Sequence, residues 1–537
     1  MRKPVYVSLA SALFFMLLLF LFPSAALWAG NVSGRIQYTD KLYDFSSDEA
    51  GYVGTLPKPA RYIEVELRRS DNSALLGSGS TDGEGNYSFA ISDAGTIEVD
   101  LYLIAHSSAS PWGDVFVLDN KWDSFLQSLV VGPFERNTNG TFSLDYTVPT
   151  DSGGKRLGGM FNIVDSILHG AELVSARLGA PVGPITIYWE DGSTNGTYYS
   201  SNRIYLYGGD RGSPTTGDDD SYDDAVILHE YGHYLADRYS WDRSPGGSHH
   251  LDGYYSPVLT WSEGWASAFQ CIARNSALYW DATDGDTGGF NLDYETGSEN
   301  GVILSDLKGM NNEVMVTCVL YDLFDDASSH DNSPAGDDDS CEGGAEEIWT
   351  VFDQDFVPSV LATMDDFYQG WKIRYPALPV DEVFAAFGME MVPLRQGEKV
   401  YSALDLDLSI PDNDPGGVAG TIQLPAGVIQ ADGVRVWVAA LHSYRGDLSI
   451  RLRHPDGDSI PLKLASDSDW ENDVTEWYGF QNYEKPTGNL SSFEGRSSAG
   501  LWTLEISDEG ALDTGTLVDW RLKVLTQTGS EGFLQVY

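Results

Sequence analysis

Over residues 31–147, apolar and polar positions alternate: Val32, Gly34 and Ile36, then Ile63, Val65 and Leu67, then Ile97, Val99 and Leu101, separated by clusters of Gly, Asp, Asn and Ser. A period of two sends successive side chains to opposite faces of a pleated chain, so these stretches predict short strands of a β-sandwich. After the breaker Pro149-Thr150-Asp151-Ser152-Gly153-Gly154 the period lengthens. Met160, Ile163, Val164, Ile167 and Leu168 fall at helical spacing, and two strand-like runs follow at 184–189 and 203–207. Helical patterns dominate 225–387. From about residue 404 the alternation returns in Val434, Val436 and Val438, in Leu448, Ile450 and Leu452, and in Trp520, Leu522 and Val524, each block bounded by Gly, Asp or Pro. The pattern predicts a multidomain chain with an N-terminal β-sandwich (30–147), a central, mainly helical α+β domain (148–400), a C-terminal β-sandwich (401–528) and a short tail (529–537).

Ahead of these lies an apolar run at 9–22, preceded by Arg2 and Lys3 and followed by Pro23, Ser24, Ala25, Ala26 and Ala29. That layout predicts a secretory leader over 1–29 and an exported protein, secreted or periplasmic, with no membrane attachment once the leader is removed. The run is shorter than the roughly 20 residues of a comfortable membrane span. The 537 residues carry 32 Lys+Arg against 80 Asp+Glu, a formal charge of −48. Such a surface repels phosphates and anionic lipid, which excludes nucleic acid and membrane surfaces as partners. Three cysteines, Cys271, Cys318 and Cys341, exclude a disulfide framework; export permits one bridge, with three pairings and always one thiol over.

The sharpest chemical feature is Ala225-Val226-Ile227-Leu228-His229-Glu230-Tyr231-Gly232-His233-Tyr234-Leu235. Asp223 or Asp224 can cap a helix here. Residues four apart share a helical face, so His229 and His233 project one turn from each other and can grip one zinc ion. Glu230 then sits beside the metal, where its carboxylate can take a proton from a zinc-bound water. The competing reading is a pair of histidines satisfied on a buried helix. A catalytic zinc needs a third protein ligand and an open fourth position. The residue six beyond His233 is Tyr239, so no histidine ligand stands there. Downstream, Trp261-Ser262-Glu263-Gly264-Trp265-Ala266-Ser267-Ala268-Phe269 is a helical pattern carrying a carboxylate at Glu263. Asp237, one turn beyond His233, is a rival third ligand. Acidic stretches at 218–220, at 281–286, and at 337–339 with Glu342 can bind Ca²⁺ or simply be solvated; none has the spacing of an EF-hand loop.

Three resemblances follow from these residues. Thr81-Asp82-Gly83-Glu84-Gly85-Asn86-Tyr87-Ser88-Phe89 resembles the hairpin of carboxypeptidase regulatory-like β-sandwich modules, which implies a structural or presentation role. Ile410-Pro411-Asp412-Asn413, His442-Ser443-Tyr444-Arg445-Gly446-Asp447-Leu448, Gly500-Leu501-Trp502-Thr503-Leu504, and Asp513-Thr514-Gly515-Thr516-Leu517 leading to Trp520 resemble the P domain of proprotein convertases. That family is an accessory jelly roll, so the resemblance implies stabilisation or targeting of a neighbouring enzyme. Arg453-His454-Pro455-Asp456-Gly457-Asp458 departs from its usual Ser-Pro and Gly-Thr, a change confined to a turn. The two central helices resemble those of the gluzincins, thermolysin-like zinc peptidases of zincin fold. The resemblance implies His229, His233 and Glu263 as zinc ligands and Glu230 as general base. Ser267 stands where that family places an Asp that orients a zinc-bound His, so this support must come from elsewhere.

The function implied is an exported zinc-dependent endopeptidase, a hydrolase of protein or peptide substrates. The alternatives are a non-catalytic secreted binding protein whose zinc is closed by a fourth protein ligand, and a zinc amidase on a non-protein substrate. His249, His250, Tyr254, Tyr255 and Tyr321 are candidates by type for the donor to the transition-state oxyanion. The 203–207 run is a candidate cleft edge that pairs with an extended substrate, and 312–323 a packing helix behind the site. The oligomeric state stays open.

Overall fold

The computed structural model describes residues 28–527 except 45–50, 93–94, 120–124, 153–154, 195, 210–218, 243, 245, 254, 256, 284–287, 300–301, 305–308, 326–340, 342, 357–361, 390, 392, 404–405, 471–472 and 480–485. The expected leader (1–27 of it), the acidic residues 337–339 with Glu342, Tyr254 and the tail fall outside the described residues. No helix among the described residues is long and apolar enough to cross a membrane. Two compact units emerge, one comprising 1–42, 54–168 and 181–184, the other 43–53, 169–180 and 185–537.

The first unit is built from the alternating stretches. Strand Trp28–Asp44 pairs antiparallel with Asn86–Ser92 and parallel with Thr141–Ser143 and Tyr146–Val148. A second sheet runs in the order Leu75–Ser80, Glu64–Arg69, Thr96–Ile104, Ser128–Asn137. Val32, Ile36, Val65, Leu67, Val99 and Leu101 are fully buried, so the period-two residues form the core. Gly85 takes φ +80 in the turn, and Asp82 Oδ1 accepts from the backbone nitrogens of Glu84 and Asn86 at 2.9 and 2.8 Å.

Helix α1 (Gly159–Leu178) is followed in the second unit by α2 (Asp224–Tyr239), α3 (Pro257–Arg274), α4 (Glu313–Asp322), α5 (Ala345–Gln354), α6 (Met364–Arg374) and α7 (Val380–Ala386). In α3 everything from Pro257 to Ile272 is buried, which makes it the central helix between α2 and α4. Gly232 and Gly264 set those approaches. A Cβ at Gly232 would lie 2.8 Å from the Ala266 Cα, and one at Gly264 would collide with Val316. Trp265 Nε1 donates to the Gly232 carbonyl at 3.1 Å, fixing α2 to α3. Asp223 occupies the position before α2 yet makes no side-chain cap. Its carboxylate accepts instead from the Tyr52 hydroxyl and from the Ala282 nitrogen, so the expected cap gives way to a tertiary contact.

Strand Arg203–Tyr205 lies between Ile185–Tyr188, to which it is parallel, and Tyr198–Tyr199, to which it is antiparallel. The expected cleft edge is therefore an interior strand, and Tyr198–Tyr199 holds the outer position. Tyr198–Tyr199 could not be read from alternation, because two residues are too few to show a period.

The C-terminal sandwich packs two sheets. One contains Glu398–Ala403, Gly515–Thr526, Ile429–His442 and Val474–Tyr478, with Leu408–Ile410 also on Gly515–Thr526; the other runs Asp414–Leu424, Gly500–Asp508, Leu448–Arg453, Ser459–Lys463. Val436, Val438, Ile450, Leu452, Trp502, Leu504, Trp520 and Leu522 fill the core between them. The first sheet includes residues ahead of 401, because Glu398–Ala403 pairs along the final strand. The three cysteines are buried and unbridged.

Candidate functional site

Helices α2 and α3 bring the sequence-predicted ligands together. His229 Nε2 and His233 Nε2 stand 3.2 Å apart, and Glu263 Oε2 is 3.3 Å from the first and 3.2 Å from the second. Three donor atoms each about 2.0 Å from one ion in tetrahedral geometry would be about 3.3 Å apart. The near-equilateral triangle thus has the dimensions of one face of a zinc tetrahedron. Two imidazole lone pairs and a carboxylate oxygen facing one another repel, and a divalent cation at their centre would turn that repulsion into ligation.

The outer ring nitrogens are engaged as such a site requires. His229 Nδ1 lies 3.0 Å from Ser267 Oγ. His233 Nδ1 lies 3.4 Å from Ser262 Oγ, which donates to Asp242 Oδ2 at 2.7 Å. With the ring hydrogen on each Nδ1, both Nε2 lone pairs point inward. Ser267, the departure from the gluzincin pattern, thus contacts His229 itself. Asp242, which no motif flagged, reaches His233 through Ser262. Asp237 stands apart from the triangle and accepts from the Tyr199 hydroxyl at 2.6 Å.

Glu230 is 7% exposed. Burial, reinforced by Glu263, raises its carboxyl above the ordinary glutamate value against the pull of His229 and His233. For Glu263 burial pushes up, but His233 and His229 outweigh it and hold the carboxylate well below its usual range.

Among the candidates for an oxyanion donor, His249 has the built position. Its Nδ1 is 2.8 Å from Glu313 Oε2 and its Nε2 is 3.7 Å from Glu263 Oε2. The loop that carries it is tied to the start of α4. Asn312 Nδ2 donates to the Leu251 and Gly253 carbonyls at 2.8 and 2.9 Å, and Tyr255 N donates to the Asn311 carbonyl at 2.8 Å. His250 lines the same cleft, Tyr255 uses its hydroxyl on the His250 nitrogen, and Tyr321 is buried within α4. The sequence offers His249 as one candidate by type among five and cannot single it out, because its partner Glu313 lies 64 residues away (313 − 249).

Two of the acidic stretches converge elsewhere in the cleft. Asp220, Asp223 and Asp281 each offer a carboxylate oxygen within 4.8 Å of the others. Burial first, then the charges of Asp281 and Asp220, hold Asp223 well above the ordinary carboxylate range. Asp219, the other described member of the first stretch, accepts from Trp189 Nε1 at 3.1 Å.

Residues 179–375, which hold every side chain of the triangle, match the family model described as the Mycolysin C-terminal domain, and residues 431–524 match the Proprotein convertase P-domain. The C-terminal jelly roll is a P domain. The chain is 37% identical over 89 residues to the "Transglutaminase-activating metalloprotease" of Streptomyces mobaraensis, covering 17% of this chain and 10% of that protein. It is 31% identical over 117 residues to "Leupeptin-inactivating enzyme 1" of Streptomyces exfoliatus, covering 22% and 24%. The chain thus spans about a tenth and about a quarter of these relatives. Among solved structures, the serine protease of Aeromonas sobria shares 17% identity over 28% of this chain and 30% of its own, with a TM-score of 0.17.

Because Gly232 sets the distance between the two ligand-bearing helices, Gly232→Ala is expected to weaken zinc binding by about tenfold or more, with the helical circular dichroism retained. Zinc titration against a chelating dye measures this; unchanged affinity would show that the helices absorb the extra methyl without moving the ligands.

Proposed function

We propose that this chain is an exported zinc-dependent endopeptidase. The observation that carries the reading is the triangle of His229, His233 and Glu263 donor atoms, 3.2–3.3 Å on each side, with Glu230 buried beside it. The matches to a mycolysin domain and to metalloproteases support it.

Held by these three side chains, zinc would supply Lewis acidity for activating water and polarising a carbonyl. Glu230 takes a proton from the attacking water at its carboxylate and then delivers it to the departing amine nitrogen. His249, steadied through Nδ1 by Glu313, presents Nε2 as donor to the carbonyl oxygen as negative charge develops there. Ser267, Ser262 and Asp242 keep the two ligand rings in register. Tyr198–Tyr199, at the margin of its sheet and in the cleft wall, offers backbone groups to an extended substrate.

Against a closed structural zinc stands the count of mutually close donors: three, among the described residues, in a wall of a cleft of about 1240 Å³. The deciding experiment is cleavage of unfolded casein by the purified chain. Activity is expected to disappear with a zinc chelator and return on adding one equivalent of zinc. Full activity in the chelator would defeat the assignment.

A further inference from the structure

Resting on the peptidase reading, we propose that Tyr198 is a specificity-determining residue that selects an aromatic side chain, a phenylalanine or tyrosine, of a substrate lying along the outer strand of the cleft. Three tyrosines stand in register on neighbouring strands. Tyr188 on Ile185–Tyr188 is paired with Tyr205 on Arg203–Tyr205, and Tyr205 in turn with Tyr198. Their rings stack, Tyr188 on Tyr205 at 5.2 Å and 21°, and Tyr205 on Tyr198 at 4.5 Å and 16°, centre to centre. Ile187 and Ile204 alternate with them and are fully buried, so the tyrosines form a ladder on the face of the sheet turned away from the core. The ladder stops at Tyr198. Its strand is the last of the sheet among the described residues, and Tyr198 itself is 39% exposed and lines the cleft.

The backbone shows where a next rung would come from. Ser200 and Arg203 exchange both of their backbone hydrogen bonds, at 2.8 and 3.1 Å. Bonded and non-bonded pairs alternate along an antiparallel ladder, so Tyr198 spends its backbone groups on Tyr205, whereas those of Tyr199 point to the free edge. The Tyr199 N–H donates to the Glu230 carboxylate, so this edge runs past the group assigned as general base. A peptide that adds antiparallel along it donates an N–H to the Tyr199 carbonyl and sets a neighbouring residue opposite Tyr198. That pair is of the non-hydrogen-bonded kind, with Cα atoms about 4.5 Å apart and side chains at their closest. The substrate side chain there lies on the same face as the three tyrosines. A flat ring continues the stack, whereas an aliphatic group of similar bulk covers Tyr198 without matching its π face.

The test uses the zinc-loaded full chain and fluorogenic peptides that carry phenylalanine, cyclohexylalanine or arginine at one position, scanned across the scissile bond. At one position kcat/KM is expected to favour phenylalanine over cyclohexylalanine by about two- to tenfold, the worth of an aromatic pair beyond the area it buries. The gain should lie in KM with kcat unchanged, because the rings touch in the ground state and the transition state alike. Tyr198→Leu should abolish the preference and Tyr198→Phe should keep it; the scan on the unaltered chain tests the idea even where a variant does not fold. Equal kcat/KM for the two peptides at every position overturns the proposed selectivity and leaves the peptidase reading standing, as does a preference that survives Tyr198→Leu. Arginine favoured over phenylalanine at that position would make the ring a platform for cations, and would also overturn it. Cleavage of no peptide overturns both.

Discussion

Glu230→Gln is expected to lower kcat/KM for an unfolded protein substrate by about 10²–10⁴-fold, the range that a positioned acid–base group supplies, while one zinc stays bound per chain. Gln keeps the shape and the hydrogen-bonding reach of Glu but can neither accept a proton from water nor hand one to an amine. Glu230 is buried and stands next to the three donor atoms without being one of them, so its exchange leaves the triangle intact. Glu263→Gln makes the contrast, because the triangle loses its anionic corner and zinc affinity should fall along with activity. Metal analysis and peptide kinetics on the same samples separate the two. Retained cleavage by Glu230→Gln would place the base elsewhere, and loss of zinc from it would make Glu230 a ligand.

The local part of this site was legible in the sequence and the tertiary part was not. His229, Glu230 and His233 declare their geometry through a spacing within one helix, and Gly232 stands in the same run. Glu263 was reachable through resemblance, since α3 shows its helical period without indicating which helix it meets. Asp242 and Glu313 carry no local signal and His249 is offered only by residue type; each meets a side chain 20 or more residues away (262 − 242; 313 − 249). The Asp220–Asp223–Asp281 cluster joins two stretches that look like solvated loops, and its burial comes only from folding. In the C-terminal sandwich, alternation identifies the inner residues Val434, Val436 and Val438, and the same period puts Arg435, Arg521 and Lys523 on the opposite face. These three are only 1–2% exposed, because period two sorts the faces of a sheet but cannot reveal that a second layer covers the outer one.

That covering layer supports the other large effect. Lys523 Nζ lies 3.0 Å from Asp365 Oδ2 and over the Trp477 ring at 4.2 Å, and Arg521 donates to Asp366 Oδ2 at 3.1 Å. Both aspartates belong to the first turn of α6, so the C-terminal sheet and this helix share buried ion pairs. Removing one partner leaves an uncompensated buried charge. Asp365→Ala is therefore expected to cost about 3–5 kcal/mol, whereas Asp365→Leu combined with Lys523→Met should recover most of that loss. Burial pushes the Asp365 carboxyl up, but Lys523 and Arg521 prevail and hold it below its ordinary value. A lowered carboxyl contributes stability that is present above the unfolded value of about 3.9 and is lost as pH falls through the folded one. On the acid side the Asp365–Lys523 pair should therefore persist at pH 5 and fail on stronger acidification, while burial, which lowers the Lys523 ammonium pKa, sets its limit on the alkaline side. Denaturant unfolding followed by circular dichroism, with casein cleavage measured alongside, checks both. An Asp365→Ala chain that unfolds at the parent midpoint would mean that α6 and the C-terminal sheet are joined by their apolar contacts alone, and so would a double variant no better than the single one.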